Sequence, residues 1–220
     1  MKTMVVAHHP DDEVLGVGGT LLRRKAEGAK VAWLIVTNIS VETGWSEEKV
    51  RERSDEINRV RELFGFDEVF MLNFPTTQLD RVPMSDLVKA VSDVFSLFQP
   101  TEVFVPHSSD VHTDHRIVFD AVASCTKCFR YPSIKRILAY ETLSETDFSL
   151  GGGECFRPNV FINISPFIKE KLRAMSIYSS EVGAFPFPRS NEAIQSLASL
   201  RGSASGCDAA EAFMLLKEIL

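Results

Sequence analysis

The sequence predicts an α/β fold, one domain built on a mainly parallel sheet with helices on both faces. Three observations lead there. Short apolar runs, Val5 to Ala7, Lys30 to Thr37, Glu68 to Leu72 and Glu102 to Val105, alternate with longer segments of helical periodicity. The first and fourth runs each give way to histidine and carboxylate, which are poorly suited to continuing a buried strand. The 220 residues fit a single domain, 1–220, long enough to bury about 70% of the surface its unfolded chain exposes.

The first strand candidate runs into His8-His9-Pro10-Asp11-Asp12-Glu13, then Gly16-Val17-Gly18-Gly19. Pro10 biases His9 towards extended backbone, and the glycines are expected to form a tight turn into a helix from Thr20 to Glu27. A loop between strand and helix lies at the carboxyl edge of an open α/β sheet, where sites are usually found. After the second run, the loop Asn38 to Gly44 leads to Ser46, a helix cap with Glu47 and Glu48 in the first turn. The helix stripe uses Val50, Ile57, Val60 and Phe64, and Arg53 falls in its middle. A snorkelling or Glu56-paired arginine is one reading; an arginine reaching a polar substrate is the other. Met84 to Phe98 is a helix turning Leu87, Val91, Val94, Phe95 and Phe98 inward, stopped by Pro100.

The fourth run delivers Pro106-His107-Ser108-Ser109-Asp110-Val111-His112-Thr113-Asp114-His115 at the head of a helix from Thr113 to Lys127. Further on, Arg136 to Tyr140 and Val160 to Ile164 are strand candidates. Gly151 to Gly153 between them form either a loop tip bordering the cleft or a plain hairpin turn. Ser165 is expected to cap a helix through Tyr178, and helices over Asn191 to Arg201 and Asp208 to Ile219 to complete one face. The aromatics of Phe185-Pro186-Phe187-Pro188 have three readings: a subunit contact in a homo-oligomer, the rim of the site, or, most simply, anchoring against the core.

His9 and Asp12 stand three residues apart across a turn, and neutral imidazole with carboxylate is a donor set suited to zinc. His112 and His115 lie one helical turn apart and point the same way. Either cluster alone is commonly surface polarity. Two of them, each following a strand, point to one shared site, in which His107 has no assigned task and His8 is ambiguous.

His9-Pro10-Asp11-Asp12-Glu13 with His112-Thr113-Asp114-His115 resembles the two signature motifs of the LmbE-like, or PIG-L, family of zinc-dependent N-deacetylases. Arg53-x-x-Glu56 ending in Phe64-Gly65 is similar to the family's Arg-x-x-Glu helix. Arg189-Ser190-x-Glu192, Arg201-Gly202 and Ala210-Glu211-Ala212-Phe213 resemble the closing segment of its small bacterial members. The resemblance implies a Rossmann-like domain and Zn2+ held by His9, Asp12 and His115, leaving a fourth position for an activated water. Asp11 is the candidate base that accepts the water proton and returns it to the departing amine. His112, charged and held by Asp114, donates to the oxyanion. Glu13 is either support for the site or a helix-start carboxylate, and the resemblance favours Arg53 as a substrate-binding residue. The implied substrate is an N-acetylglucosamine-type conjugate or a similar small N-acyl compound. In many family members the loop after the third strand resembles Phe-Pro-Asp-Gly, its acidic residue bonding sugar hydroxyls; here Thr76 holds that place.

The net charge of −6 lacks the basic stripe of a nucleic-acid binder. With no run near the ~20 apolar residues of a membrane span and no signal-like start, the cytoplasm is the expected compartment. The four cysteines are too sparse for a disulfide scaffold, and Cys125-x-x-Cys128 is taken as helix packing. Three further readings stand beside the sugar deacetylase: an amidase on a non-sugar amide, a catalytically silent sugar-binding protein, and a nucleotide-binding module suggested by Gly16-Val17-Gly18-Gly19. The last would require glycine at Leu21.

Overall fold

The computed structural model describes residues 1–150 and 155–220, so the Gly151 to Gly153 loop lies outside the described residues. The strands are β1 (Lys2–Ala7), β2 (Lys30–Asn38), β3 (Glu68–Pro75), β4 (Glu102–Pro106), β5 (Arg136–Tyr140), β6 (Val160–Asn163) and β7 (Ala210–Glu218). They form one sheet in the order β3-β2-β1-β4-β5-β7-β6, in which the first five are parallel and β7 runs antiparallel between β5 and β6. Around it lie α1 (Asp12–Ala26), α2 (Glu47–Phe64), α3 (Met84–Phe98), α4 (Thr113–Ser124), α5 (Ile168–Met175) and α6 (Asn191–Ser203).

The period of two in β1 divides the core. Val5 and Ala7 pack with Val14, Leu21, Ile57 and Phe64 of α1 and α2 on one face. Met4 and Val6 pack with Leu87, Val91, Phe95 and Val118 of α3 and α4 on the other. A strand buried on both sides needs an unbroken apolar run, which is why Val31 to Val36 carries no charge. The Ser46 side chain accepts from the Lys49 backbone N–H at 3.2 Å, capping α2, and Gly65 ends that helix at φ 61°.

Three segments depart from the sequence pattern. Helix α1 begins at Asp12, not Thr20, and contains the glycines expected to form a turn. They serve close packing: a Cβ at Gly16 would collide with the Tyr140 ring, and one at Gly19 would lie 2.7 Å from Ile164. No glycine loop is left there to cradle a phosphate, which removes the basis of the nucleotide reading.

The segment expected to be a helix over Asp208 to Ile219 is strand β7. Its Ala, Glu, Leu and Lys content favours a helix, but two flanking strands offer it a complete ladder. Finally, Ser165 caps no helix. Its hydroxyl accepts from the Ala209 N–H at 3.1 Å, and α5 starts later, at Ile168, and ends at Met175 before Tyr178.

Cys125 is buried at the end of α4 as packing requires, whereas Cys128 lies exposed beyond it; all four cysteines are free thiols. Phe185 and Phe187 are exposed and do not anchor the core. No helix among the described residues is long and apolar enough to cross a membrane.

Candidate active site

Strands β1 and β4 are parallel neighbours, with Val5 opposite Phe104, and their connections leave in opposite directions along the sheet. That is the topological switch point, where the loop ends of an open α/β sheet splay apart into a crevice. Both histidine loops open there. The β1 loop is held from behind, because His8 O accepts from the Thr37 hydroxyl at 2.7 Å and its N–H at 2.9 Å.

His8, His9, Asp12 and His115 converge so that one ligand atom from each lies within 4.8 Å of the others. Asp12 Oδ2 contacts His8 Nδ1 and accepts from the His9 backbone N–H at 2.9 Å, and Asp12 Oδ1 is 3.8 Å from His115 Nε2. Burial holds His8 and His115 well below the usual imidazole range, so both rings are neutral and carry lone pairs. Burial also pushes His9 down, but its hydrogen bond to Asp114 and the charges of Asp12, Asp114 and Glu145 outweigh this and raise it. His8 Nε2 is buried with no hydrogen-bond partner. Three imidazoles, one of them with an orphaned buried nitrogen, and one carboxylate fit a divalent transition metal.

Asp11 lines the same cavity at φ 135°, a strained backbone for a non-glycine residue. Glu13 restrains it. Its Oε2 accepts from the Asp11 N–H at 3.0 Å and its Oε1 from the Tyr178 hydroxyl at 2.7 Å. Burial raises the Glu13 carboxyl to about 8. Burial first, then the neighbouring Asp12 charge, lifts Asp11 well above the usual carboxylate range.

At the head of α4, His112 Nδ1 accepts from the Asp114 backbone N–H at 3.1 Å, so the neutral ring carries its proton on Nε2. The expected clamp of the Asp114 carboxylate on this ring is not what the structure shows. That carboxylate contacts His9 Nε2 at 3.2 Å and accepts from Thr77 N–H at 2.7 Å and Leu79 N–H at 3.3 Å. Burial, then the His9 charge, holds His112 below the ordinary imidazole value rather than in the charged form.

His9, Asp11, Asp12, His112 and His115 line one cavity of about 430 Å³. Arg53 lines it and is tied into its wall: Nη1 donates to Pro10 O at 3.0 Å, Nη2 to Glu181 at 2.5 Å, and Nε lies 3.3 Å from Glu56. Arg189 donates to the second Glu181 oxygen at 3.1 Å and to Ser144 at 3.2 Å.

Asp110, Tyr178, Glu181 and Arg189 were not singled out from sequence. Asp110 stands inside the second histidine motif, and Arg189 opens the closing one, so both carried a signal; Tyr178 and Glu181 carried none.

A parallel sheet that brings three imidazoles and several carboxylates to one crevice at its switch point has the form of an α/β enzyme with a candidate metal site. The chain belongs to the PIG-L family, GlcNAc-PI de-N-acetylase, which matches it over residues 4–126. It is 28% identical over 183 residues to the uncharacterized deacetylase YaiS of Escherichia coli K12, covering 80% of this chain and 90% of that one. To the diacetylchitobiose deacetylase of Thermococcus kodakarensis it is 26% identical over 188 residues, covering 82% and 70%. The crystal structure of the conserved protein TT1542 from Thermus thermophilus superposes with a TM-score of 0.78 at 28% identity, covering 99% and 96%. The chain is accordingly an amide-hydrolysing enzyme, an N-deacetylase.

Proposed function

We propose that this enzyme removes the acetyl group from the nitrogen of an N-acetylglucosamine-type conjugate, using zinc held by His9, Asp12 and His115 with His8 beside them. The observation that carries the reading is the convergence of the ligand cluster with Asp11 and His112 on one cavity. The sugar is supported by the relatives, among them a diacetylchitobiose deacetylase, and by the polar groups of the cavity wall.

Zinc, when bound, supplies Lewis-acid polarisation of the amide carbonyl and of the attacking water. Asp11 accepts the proton of that water as its oxygen bonds to the carbonyl carbon, then delivers it to the nitrogen as the C–N bond breaks. Without that delivery the leaving group would be an amide anion. His112, with its proton on Nε2, donates to the developing oxyanion. Asp114 restrains His9, and Glu13 with Tyr178 hold the strained Asp11 backbone. The contacts of Arg53 leave it an Nη1 N–H for a substrate hydroxyl.

Metal analysis of purified protein, combined with acetate release from a panel of N-acetyl sugar conjugates and non-sugar N-acetyl amines, tests this. One zinc per chain and release chiefly from the sugars are expected. Equal or greater release from the non-sugar amides would replace the sugar reading with a general amidase.

A further inference from the structure

The cavity extends beyond the catalytic groups along the start of α2. Arg53 marks its inner part, since it bonds Pro10 O beside Asp11. Towards the helix N-terminus the wall continues through Glu52 and Lys49 to Trp45, just outside the Ser46 cap. The seven helical steps from Arg53 to Ser46 rise roughly 10 Å. A first sugar ring, seated with its amide at Asp11 and His112, would not reach that far, but a second ring would.

Trp45 is shaped for such a ring. The residue is 44% exposed yet lines the cavity, and its backbone N–H donates to Ser40 O at 3.2 Å. The turn before it is pinned by Thr43 Oγ1, which accepts from Ser40 N–H at 3.1 Å and donates to Ser40 O at 2.9 Å. An indole on a fixed backbone, left open to solvent, offers a flat apolar face on which a sugar ring can settle. Beside it the Lys49–Glu52 pair, 2.8 Å apart, offers both a donor and an acceptor to hydroxyls.

We infer that Trp45 floors a second subsite, which takes a second pyranose ring joined to the N-acetylhexosamine. The inference rests on the sugar reading above and adds that the conjugate is a disaccharide-like one. The other tryptophan, Trp33, is fully buried and stacked on Phe66, so ligand-dependent change in indole emission reports on Trp45.

The test uses zinc-loaded wild type, Trp45→Ala and Trp45→Phe, with N-acetylglucosamine and N,N′-diacetylchitobiose as probes. In Trp45→Ala the KM for the disaccharide should rise up to about tenfold at unchanged kcat, the size expected for one aromatic contact. The monosaccharide should be unaffected, and Trp45→Phe should retain most of the affinity. The disaccharide should also perturb the indole emission of the wild type but not of Trp45→Ala. If both sugars are hydrolysed and Trp45→Ala changes them equally or not at all, the subsite is wrong while the deacetylase reading stands. If neither is hydrolysed but the disaccharide perturbs Trp45, the subsite stands and the deacetylase reading falls. Neither hydrolysis nor perturbation would overturn both.

Discussion

The ring of His115 is held from behind by Asp110, whose Oδ2 lies 2.9 Å from Nδ1, while the other ring nitrogen faces Asp12. Both residues are buried, and Thr146 donates to the remaining Asp110 oxygen at 2.6 Å. A carboxylate behind a ligating histidine fixes its tautomer and its aim. Replacing Asp110 with Ala should therefore weaken metal binding about 10- to 100-fold. Competition against a chelator of known affinity measures this, and an unchanged metal affinity would show that His115 needs no such support.

Removal of the proposed ligands themselves should be more severe. His9→Ala, Asp12→Ala and His115→Ala are each expected to lose most bound metal, whereas Asp11→Asn should keep it and lose turnover by about 10²- to 10⁴-fold. An amide at position 11 can neither take the water proton nor deliver it to the amine. Full metal occupancy in all three ligand variants would refute the assignment, and a metal-loaded Asp11→Asn enzyme of near-normal activity would exclude the base.

The parts legible from sequence were those written in local pattern. Val31 to Val36 is apolar without interruption, and each histidine loop follows a short apolar run, so sheet and crevice could be placed together. Ala210 to Glu218 could not, because its helix-forming composition is overruled by partners distant in sequence, β5 and β6. The glycines of α1 misled for a related reason: they answer to Tyr140 and Ile164, not to their neighbours in the chain. Asp114 illustrates the same limit within the site. Its adjacency to His112 suggested a clamp on that ring, but the N–H groups of Thr77 and Leu79 turn the carboxylate towards His9.

Arg53 is expected to act in two ways that kinetics can separate. It fixes the Pro10 carbonyl beside the strained Asp11, so Arg53→Ala should lower kcat for a sugar conjugate and for a minimal N-acetyl amine alike. Its spare N–H should in addition make KM rise for the hydroxyl-rich substrate alone. Metal content should stay the same. An unchanged kcat on the minimal amide would show that the loop does not depend on the guanidinium, and a KM that changes by the same factor for both substrates would remove Arg53 from substrate binding.

The last expectation concerns a buried ion pair set against the middle of α1. Lys171 Nζ donates to Leu15 O at 2.8 Å and to Glu211 at 2.6 Å, and the two Glu211 oxygens accept from Gly19 N–H at 2.9 Å and Thr20 N–H at 2.8 Å. Both side chains are almost wholly buried, so each is the counter-charge of the other, and α1 supplies their remaining bonds. Lys171→Met would leave a carboxylate without its counter-charge in the core, and a cost of about 3–5 kcal/mol in unfolding free energy is expected. Adding Glu211→Leu should recover part of this by removing the stranded charge, but not all, since the bonds from Gly19 and Thr20 N–H to Glu211 would still be lost. Urea unfolding of the three variants measures both effects. A loss below about 1 kcal/mol in Lys171→Met would show that Glu211 finds another partner, and the pair would then have no structural claim on α1.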